Sequence, residues 1–459
     1  MSSRKLYSIN PKNNIKIRSW NIPSQNEIDS IINSASDAQM LWEKTEINLR
    51  INLVKELAKS LKDQNKELCI LMADEIGKPL SQGKLEINKC IFLCDYFSEI
   101  AKSALSQNNI ETEYFKSYVL HKPIGLVFGV MPWNFPFWQV IRYSVPALIV
   151  GNGVLLKHAS NVQGCANAIE HCITDSGFPQ NIFKNLQIPS DMVNNVIEND
   201  KVSGVAITGS TQAGRAVAKK AGESLKKTVL ELGGNDPYLI LDDADIEQAV
   251  FSCVEGRILN GGQSCISAKR LIVTEKNIDT FTKKIINLLQ TKIVGDPYDD
   301  VDLGPLASLS ARNEVHRMVI KSIKCGAKLE LGGDFSEVEG SYYPITILSD
   351  VKPGMPAFDD EIFGPVFSII KAKNDKEAIF LANESKFGLG AAVFTSNIKR
   401  GEKIANEKIK SGLCFVNDYV KSDPRLPFGG IKSSGYGREL SSYGLMEFVN
   451  IKTVVVQKS

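Results

Sequence analysis

Val202-Ser203-Gly204-Val205-Ala206-Ile207-Thr208 runs directly into Gly209-Ser210-Thr211-Gln212-Ala213-Gly214. A short apolar run that stops at a glycine and opens a helical stretch, here 212–225, is the strand-turn-helix step of a parallel sheet. The texture recurs outward from it. Apolar runs at 125–131, 153–157, 228–231 and 238–241 are punctuated by glycine and proline, and helical stretches at 245–259, 277–290 and 310–325 are interspersed with strand-like runs at 270–274 and 366–372. Strands alternating with helices place the chain in the α/β class, as two interlocked parallel-sheet domains. The opening part, Ser24 to Ser106, differs: Ile28, Ile31, Ile32 and Ala35, then Ile47, Ile51, Val54, Leu57 and Leu61, recur at helical spacing.

Composition bounds the function. At roughly 100 to 200 residues per domain, the 459 residues suffice for several buried cores. Lys plus Arg number 54 against 52 Asp plus Glu, so no broad field collects phosphate backbones or anionic lipid, and neither nucleic acid nor membrane is expected as a partner. No apolar run reaches the roughly 20 residues of a membrane helix. Met1 to Asn21 does not read as a signal peptide, and a cytoplasmic location is expected. Nine cysteines (69, 90, 94, 165, 172, 253, 265, 325, 414) form no CxxC pair, which suits reduced thiols. The four histidines have no zinc-ligand spacing, so no metal is expected.

The stretch richest in chemistry is Asn260-Gly261-Gly262-Gln263-Ser264-Cys265-Ile266-Ser267. Glycines before a cysteine permit backbone angles that hold a thiol and its own N–H toward a pocket. Taken alone, Cys265 reads at least as readily as a small buried apolar residue. Glu231 closes the run Thr228-Val229-Leu230 just before Leu232-Gly233-Gly234, at the carboxyl end of a strand where α/β sheets bind ligands; alone, it is equally a turn or cap residue. In Met131-Pro132-Trp133-Asn134-Phe135-Pro136, Asn134 is the uncharged polar side chain of an apolar turn, able to donate to an oxyanion or to satisfy its own turn. Gly209-Ser210-Thr211 offers free N–H groups and a helix dipole to a pyrophosphate, although such turns also merely cap helices. Val154-Leu155-Leu156-Lys157 is a second strand ending in a cation.

Together these segments, with Glu361-Ile362-Phe363-Gly364-Pro365 and Pro427-Phe428-Gly429-Gly430, resemble in chain order the signature blocks of the aldehyde dehydrogenase superfamily, from about Leu49 to Val455. The resemblance implies a dinucleotide-binding domain over 1–104 and 124–233, a catalytic domain over 234–433, and a small β oligomerisation element from 105–123 and 434–459. It also implies that Cys265 attacks an aldehyde, that the Asn134 amide and the Cys265 N–H hold the oxyanion, and that Glu231 activates the water that hydrolyses the thioester. Glu361 and Phe363 would orient the nicotinamide ribose, Lys157 the adenosine ribose and Ser210 the pyrophosphate, with Pro132, Trp133, Gly209 and Leu232 completing the cofactor site. Many members of the family carry Glu where this chain has Ser160. Loss of that charge beside Lys157 points to NADP, with NAD bound more weakly.

The segments Gln263-Ser264-Cys265, Ala268-Lys269-Arg270 and 420–425 look most like the short succinate-semialdehyde dehydrogenases. A short semialdehyde would then meet Arg142 and Ser422 with its far carboxylate. Arg142 follows Asn134 by eight residues, and a helix over 136–147 would set the two about two turns apart. Glutarate semialdehyde and lactaldehyde are alternative small aldehydes. A CoA-acylating enzyme is a rival that Glu231 argues against, and a catalytically inactive binding member is a rival that Cys265, Glu231 and Asn134 jointly argue against. The β-prone tail Thr453-Val454-Val455-Val456 needs a partner for its edge, and a homodimer or homotetramer is expected.

Overall fold

The computed structural model describes residues 4–334 and 339–458, so the outermost ends of the expected flanking segments, 1–3 and 459, lie outside the described residues. The helical opening is four helices, Gln25–Trp42, Ile47–Asp63, Asn65–Ile76 and Leu80–Ala104 (α1). The 25 residues of α1 bury Ile87, Cys90, Leu93, Cys94 and Phe97 on one side, an i, i+3, i+4 stripe that packs on neighbouring helices.

A six-stranded sheet follows. Its core strands are β1 (Leu126–Met131), β2 (Gly153–His158), β3 (Val202–Thr208) and β4 (Lys227–Glu231), with α2 (Trp138–Val150) between β1 and β2 and α3 (Thr211–Glu223) after β3. Across the sheet the order is Gly435–Tyr436, β4, β3, β1, β2, Phe183–Asn185. All neighbours run parallel except Gly435–Tyr436, which pairs antiparallel to β4 with Gly435 opposite Glu231. Every residue of α2 is buried, because this helix lies between the sheet and α1. Its near-continuous apolar sequence follows from having no solvent face.

The second sheet has seven strands and contains β5 (Pro237–Ile240) and β6 (Arg270–Thr274), joined by α4 (Ile246–Ile258). Its order is Lys328–Leu331, Thr346–Ser349, Val366–Ala372, β6, β5, Ala392–Phe394, Phe415–Val416, parallel throughout except for Lys328–Leu331. The turn after the carboxyl end of β4 meets loops of the second sheet, where Gly234 N donates to Glu361.

The apolar tail lies in Val449–Val456, which pairs antiparallel with Lys116–Pro123 of the same chain, from Val449 opposite Pro123 to Val456 opposite Lys116. Its other edge carries no strand among the described residues. Among the described residues no helix is long and apolar enough to cross a membrane, and no cluster of His, Cys, Asp and Glu is arranged to hold a metal ion.

Candidate active site

The chain leaves α4 through three consecutive left-handed residues, Asn260 (φ 55°), Gly261 (φ 63°) and Gly262 (φ 74°). Such angles are accessible to Gly and Asn and costly for most other residues. At Gly262 a Cβ would also fall 2.6 Å from the carbonyl carbon of Gly364. The turn is pinned by Gln263, whose Nε2 donates to Asn260 O (2.9 Å) and whose Oε1 accepts from Ala307 N (2.9 Å). This delivers Cys265 to the wall of a pocket of about 230 Å³, flanked by Phe135, Trp138, Arg142, Ile266 and Phe428. Burial pushes the Cys265 thiol up to about 12, against the pull of Lys269 and Arg142. The Lys269 ammonium donates to Ser264 O (2.8 Å) and Cys265 O (2.7 Å) and lies 3.3 Å from Glu361 Oε1.

Asn134 is buried beside this loop, and its Nδ2 donates to Gln263 O at 3.0 Å. Its main-chain carbonyl accepts from Lys78 Nζ (2.9 Å) and Asn260 Nδ2 (2.7 Å). Lys78 is ion-paired with Glu86 of α1, both fully enclosed. Glu86 in turn accepts from the N–H groups of Phe137 (2.9 Å) and Trp138 (3.0 Å), so its carboxylate caps the positive end of α2. The helix consequently begins at Trp138 instead of Pro136, and Asn134 sits in the turn before it, on no common helical face with Arg142. The ring of His158, at the end of β2, steadies the same turn with its nitrogens 3.2 and 2.9 Å from the carbonyl oxygens of Met131 and Pro136.

Glu231 ends β4, across the sheet from Thr208 at the end of β3. Neither carboxyl oxygen has a hydrogen-bond partner among the described residues. Burial raises its pKa well above the usual carboxylate range, the charge of Glu439 adds to the rise, and Arg142 and Arg438 oppose it. The space above it depends on Gly429, where a Cβ would stand 2.7 Å from Glu231 Oε1. The turn that follows reaches the nucleophile loop: a Cβ on Gly234 would stand 2.5 Å from Cys265 O. Arg142 lines the Cys265 pocket, but its guanidinium is ion-paired with Glu439, donates to Thr208 Oγ1 (3.2 Å) and stacks 4.8 Å from the Phe428 ring centre. Ser422 is buried in the same pocket and accepts from Lys89 Nζ at 2.5 Å.

The remaining candidates lie along the carboxyl edge of the first sheet and the facing loops. Lys157 on β2 is buried, 3.4 Å from Ser190 Oγ, with no carboxylate partner among the described residues, and burial lowers its pKa to about 8. Ser160 is partly exposed just beyond β2. Ser210 caps α3 by accepting from Ala213 N (3.2 Å), and Gly209 N donates to Glu231 O (3.0 Å). Leu232 packs so closely on α3 that a Cβ at Gly214 would lie 2.5 Å from its Cδ1. From the second sheet, Glu361 accepts from Gly234 N (3.1 Å), and Phe363 meets Trp133 edge-on at 5.7 Å, next to Pro132.

Sequence reasoning missed Lys78, Glu86, Lys89, Ser190 and Glu439. On α1, Glu86 and Lys89 are three residues apart and read as charges of a solvated face; only their alternation with the buried stripe Ile87, Cys90, Leu93 hints otherwise. Lys269, within Ala268-Lys269-Arg270, carries no sequence signal of its hold on the Ser264 and Cys265 carbonyls.

Comparison with known proteins agrees with this geometry. Residues 1–454 match the family model described as Aldehyde dehydrogenase family. A succinate semialdehyde dehydrogenase of Escherichia coli strain K12, named for NAD(P)+, is 40% identical over 448 residues, 97% of each chain. An NADP+-named succinate-semialdehyde dehydrogenase of Mycobacterium leprae is 39% identical, covering 97% of this chain and 98% of that one. The crystal structure of succinic semialdehyde dehydrogenase from Streptococcus pyogenes, in complex with NADP+, superposes with a TM-score of 0.96 at 35% identity over 99% of this chain and 100% of that one. A thiol on a glycine turn, an amide tied to that turn and a buried carboxyl at a strand end thus occur within a match that spans nearly the whole chain, and the chain belongs to the aldehyde dehydrogenase family.

Proposed function

We propose that the chain oxidises succinic semialdehyde to succinate with NADP+ as the oxidant. The observation that carries this reading is that the turn bearing Cys265, which lines one pocket with Arg142 and Ser422, is also tied to the Asn134 amide and closely approached by the turn that follows Glu231. The Cys265 thiolate attacks the aldehyde carbon. The resulting oxyanion takes hydrogen bonds from the second N–H of the Asn134 amide and from the Cys265 backbone N–H. The chemistry that NADP+ would supply when bound is acceptance of the hydride. Glu231 then takes a proton from the water that attacks the thioester, and neither of its oxygens is engaged by a hydrogen bond among the described residues. Cys265 leaves as thiolate and succinate is released. Hydrolysis through Glu231 favours a free acid over a CoA ester as product.

The donor set suits NADP+. Lys157 is a buried ammonium without a carboxylate, with the Ser190 hydroxyl beside it and the Ser160 hydroxyl three residues on, a set that compensates a 2′-phosphate. The N-terminus of α3 at Ser210 and Gly209 suits the pyrophosphate. Glu361, Phe363, Trp133, Pro132 and Leu232 frame the nicotinamide end. The far carboxylate of the substrate is held by the positive field of Arg142 and by the Ser422 hydroxyl.

The chain works in the cytoplasm as a homodimer or homotetramer, on this reading. Residues 105–123 and 434–459 act as the oligomerisation arm, next to a dinucleotide-binding domain over 1–104 and 124–233 and a catalytic domain over 234–433. The open edge of Val449–Val456 and its exposed Ile451, Val455 and Val456 support the arm's role. The test of function is a kcat/KM panel of aldehydes with and without an ω-carboxylate, using NADP+ and NAD+, with and without CoA. Succinic semialdehyde with NADP+ should rank first, independent of CoA. A preference for uncharged aldehydes, or a CoA requirement, would overturn the reading.

A further inference from the structure

Three cations line the pocket of Cys265: Lys89, Arg142 and Lys421. Arg142 is ion-paired with Glu439, and Lys421 with Asp418 at 2.6 Å. Lys89 has no carboxylate partner among the described residues. The acidic groups near it are already held: Glu86 by Lys78 and by the start of α2, and Asp423 by Arg425 at 2.9 and 2.7 Å. What Lys89 does touch is neutral. Its ammonium donates to Ser422 Oγ and sits 4.6 Å above the centre of the Trp138 ring.

A partly buried ammonium with one hydroxyl and one aromatic face for company retains uncompensated charge, and an anion entering the pocket compensates it. Ser422 is placed to share that anion, because its hydroxyl accepts from Lys89 and its own proton is free to donate. We propose that Lys89, on α1, is the residue that contacts the far carboxylate of the aldehyde substrate, with Ser422 beside it, while Arg142 supplies field and holds Glu439. This inference rests on the reading that the substrate is an ω-carboxylated aldehyde, and it makes the first helical segment a part of the specificity site.

The cation's titration gives a readout that needs no variant. Burial first, and Arg142 second, bring the Lys89 pKa down to about 8, while Cys90, Glu86 and Asp423 act in the opposite sense. Above that pH the ammonium is lost and its attraction for a carboxylate with it.

The experiment measures kcat and KM for succinic semialdehyde and for butanal, which carries methyl in place of the carboxylate, in the unmodified enzyme, Lys89→Met, Lys89→Gln and Lys89→Arg. The expected result is a fall of about tenfold or more in the kcat/KM ratio of succinic semialdehyde to butanal for the Met and Gln variants, expressed in KM, with Lys89→Arg retaining most of the ratio. In the unmodified enzyme, KM for succinic semialdehyde should rise above about pH 8 while KM for butanal does not follow it. An unmodified enzyme that prefers succinic semialdehyde, together with an unchanged ratio in Lys89→Met and Lys89→Gln or a flat KM profile, overturns the role of Lys89 and leaves the function standing. An unmodified enzyme with no preference for the carboxylated substrate overturns both.

Discussion

Arg142 and Glu439 form an ion pair that is almost completely enclosed, and both groups act on the buried carboxyl of Glu231, Glu439 raising its pKa and Arg142 lowering it. The candidate base is thus set by a neighbouring pair, one member of which, Arg142, also lines the Cys265 pocket. With its pKa raised, Glu231 gains its base form at higher pH than an ordinary carboxyl does, so hydrolysis of the thioester should accelerate with pH.

Replacing Glu439 by Gln removes the like charge and frees Arg142 to act on Glu231 alone. Both changes lower the Glu231 pKa. The rising limb of the kcat–pH profile should therefore move to lower pH, by about one unit or more, each unit corresponding to about 1.4 kcal/mol of altered interaction. A limb that moves to higher pH would contradict the coupling.

Cys265→Ala should abolish aldehyde oxidation while leaving the Kd for NADP+ within about threefold, because the thiol forms the covalent bond and none of the cofactor contacts depend on it. Titration of NADP+ by protein fluorescence, alongside turnover, separates the two. Residual turnover of more than a trace would assign the nucleophile elsewhere.

Ser160→Glu places a carboxylate three residues from Lys157, where it pairs with the ammonium and repels a 2′-phosphate. The ratio of kcat/KM with NADP+ to that with NAD+ should fall by about 10² or more, equivalent to a few kcal/mol. An unchanged ratio would place Ser160 outside the ribose site.

Lys78→Met leaves Glu86 buried without its cation, and loss of one partner of such a pair costs about 3–5 kcal/mol. The midpoint of denaturant unfolding should drop accordingly, and Lys78→Met combined with Glu86→Gln should recover part of it. Because Lys78 also holds the main-chain carbonyl of Asn134, kcat should fall in the single variant more than KM rises. Equal stability of the single variant and the parent would remove the pair from the account.

Much of this was legible in the sequence. The runs 202–208, 228–231 and 270–274 are strands almost to the residue, since short apolar segments bounded by glycine or charge have few other folds available. Cys265, Glu231 and Asn134 each carried a local signal, a glycine pair or a proline-fixed turn, and for Cys265 the left-handed angles at 260–262 explain it physically. The supporting charges carried none. Glu86, Lys89 and Glu439 are polar residues whose burial is decided by elements far away in the chain, α1 against α2 and the turn near Phe428 against β4, and no local pattern reports such contacts. The helix start at Trp138 was equally invisible, because it depends on the carboxylate of Glu86 arriving from α1.

The most direct test is rapid mixing of the Glu231→Gln enzyme with succinic semialdehyde and NADP+, followed by intact-mass analysis. The expected result is one equivalent of NADPH per active site in a fast burst, a succinyl adduct on Cys265, and steady turnover reduced by roughly 10² to 10⁴. Loss of the burst itself, or full steady turnover with no adduct, would contradict a Cys265 thioester hydrolysed through Glu231.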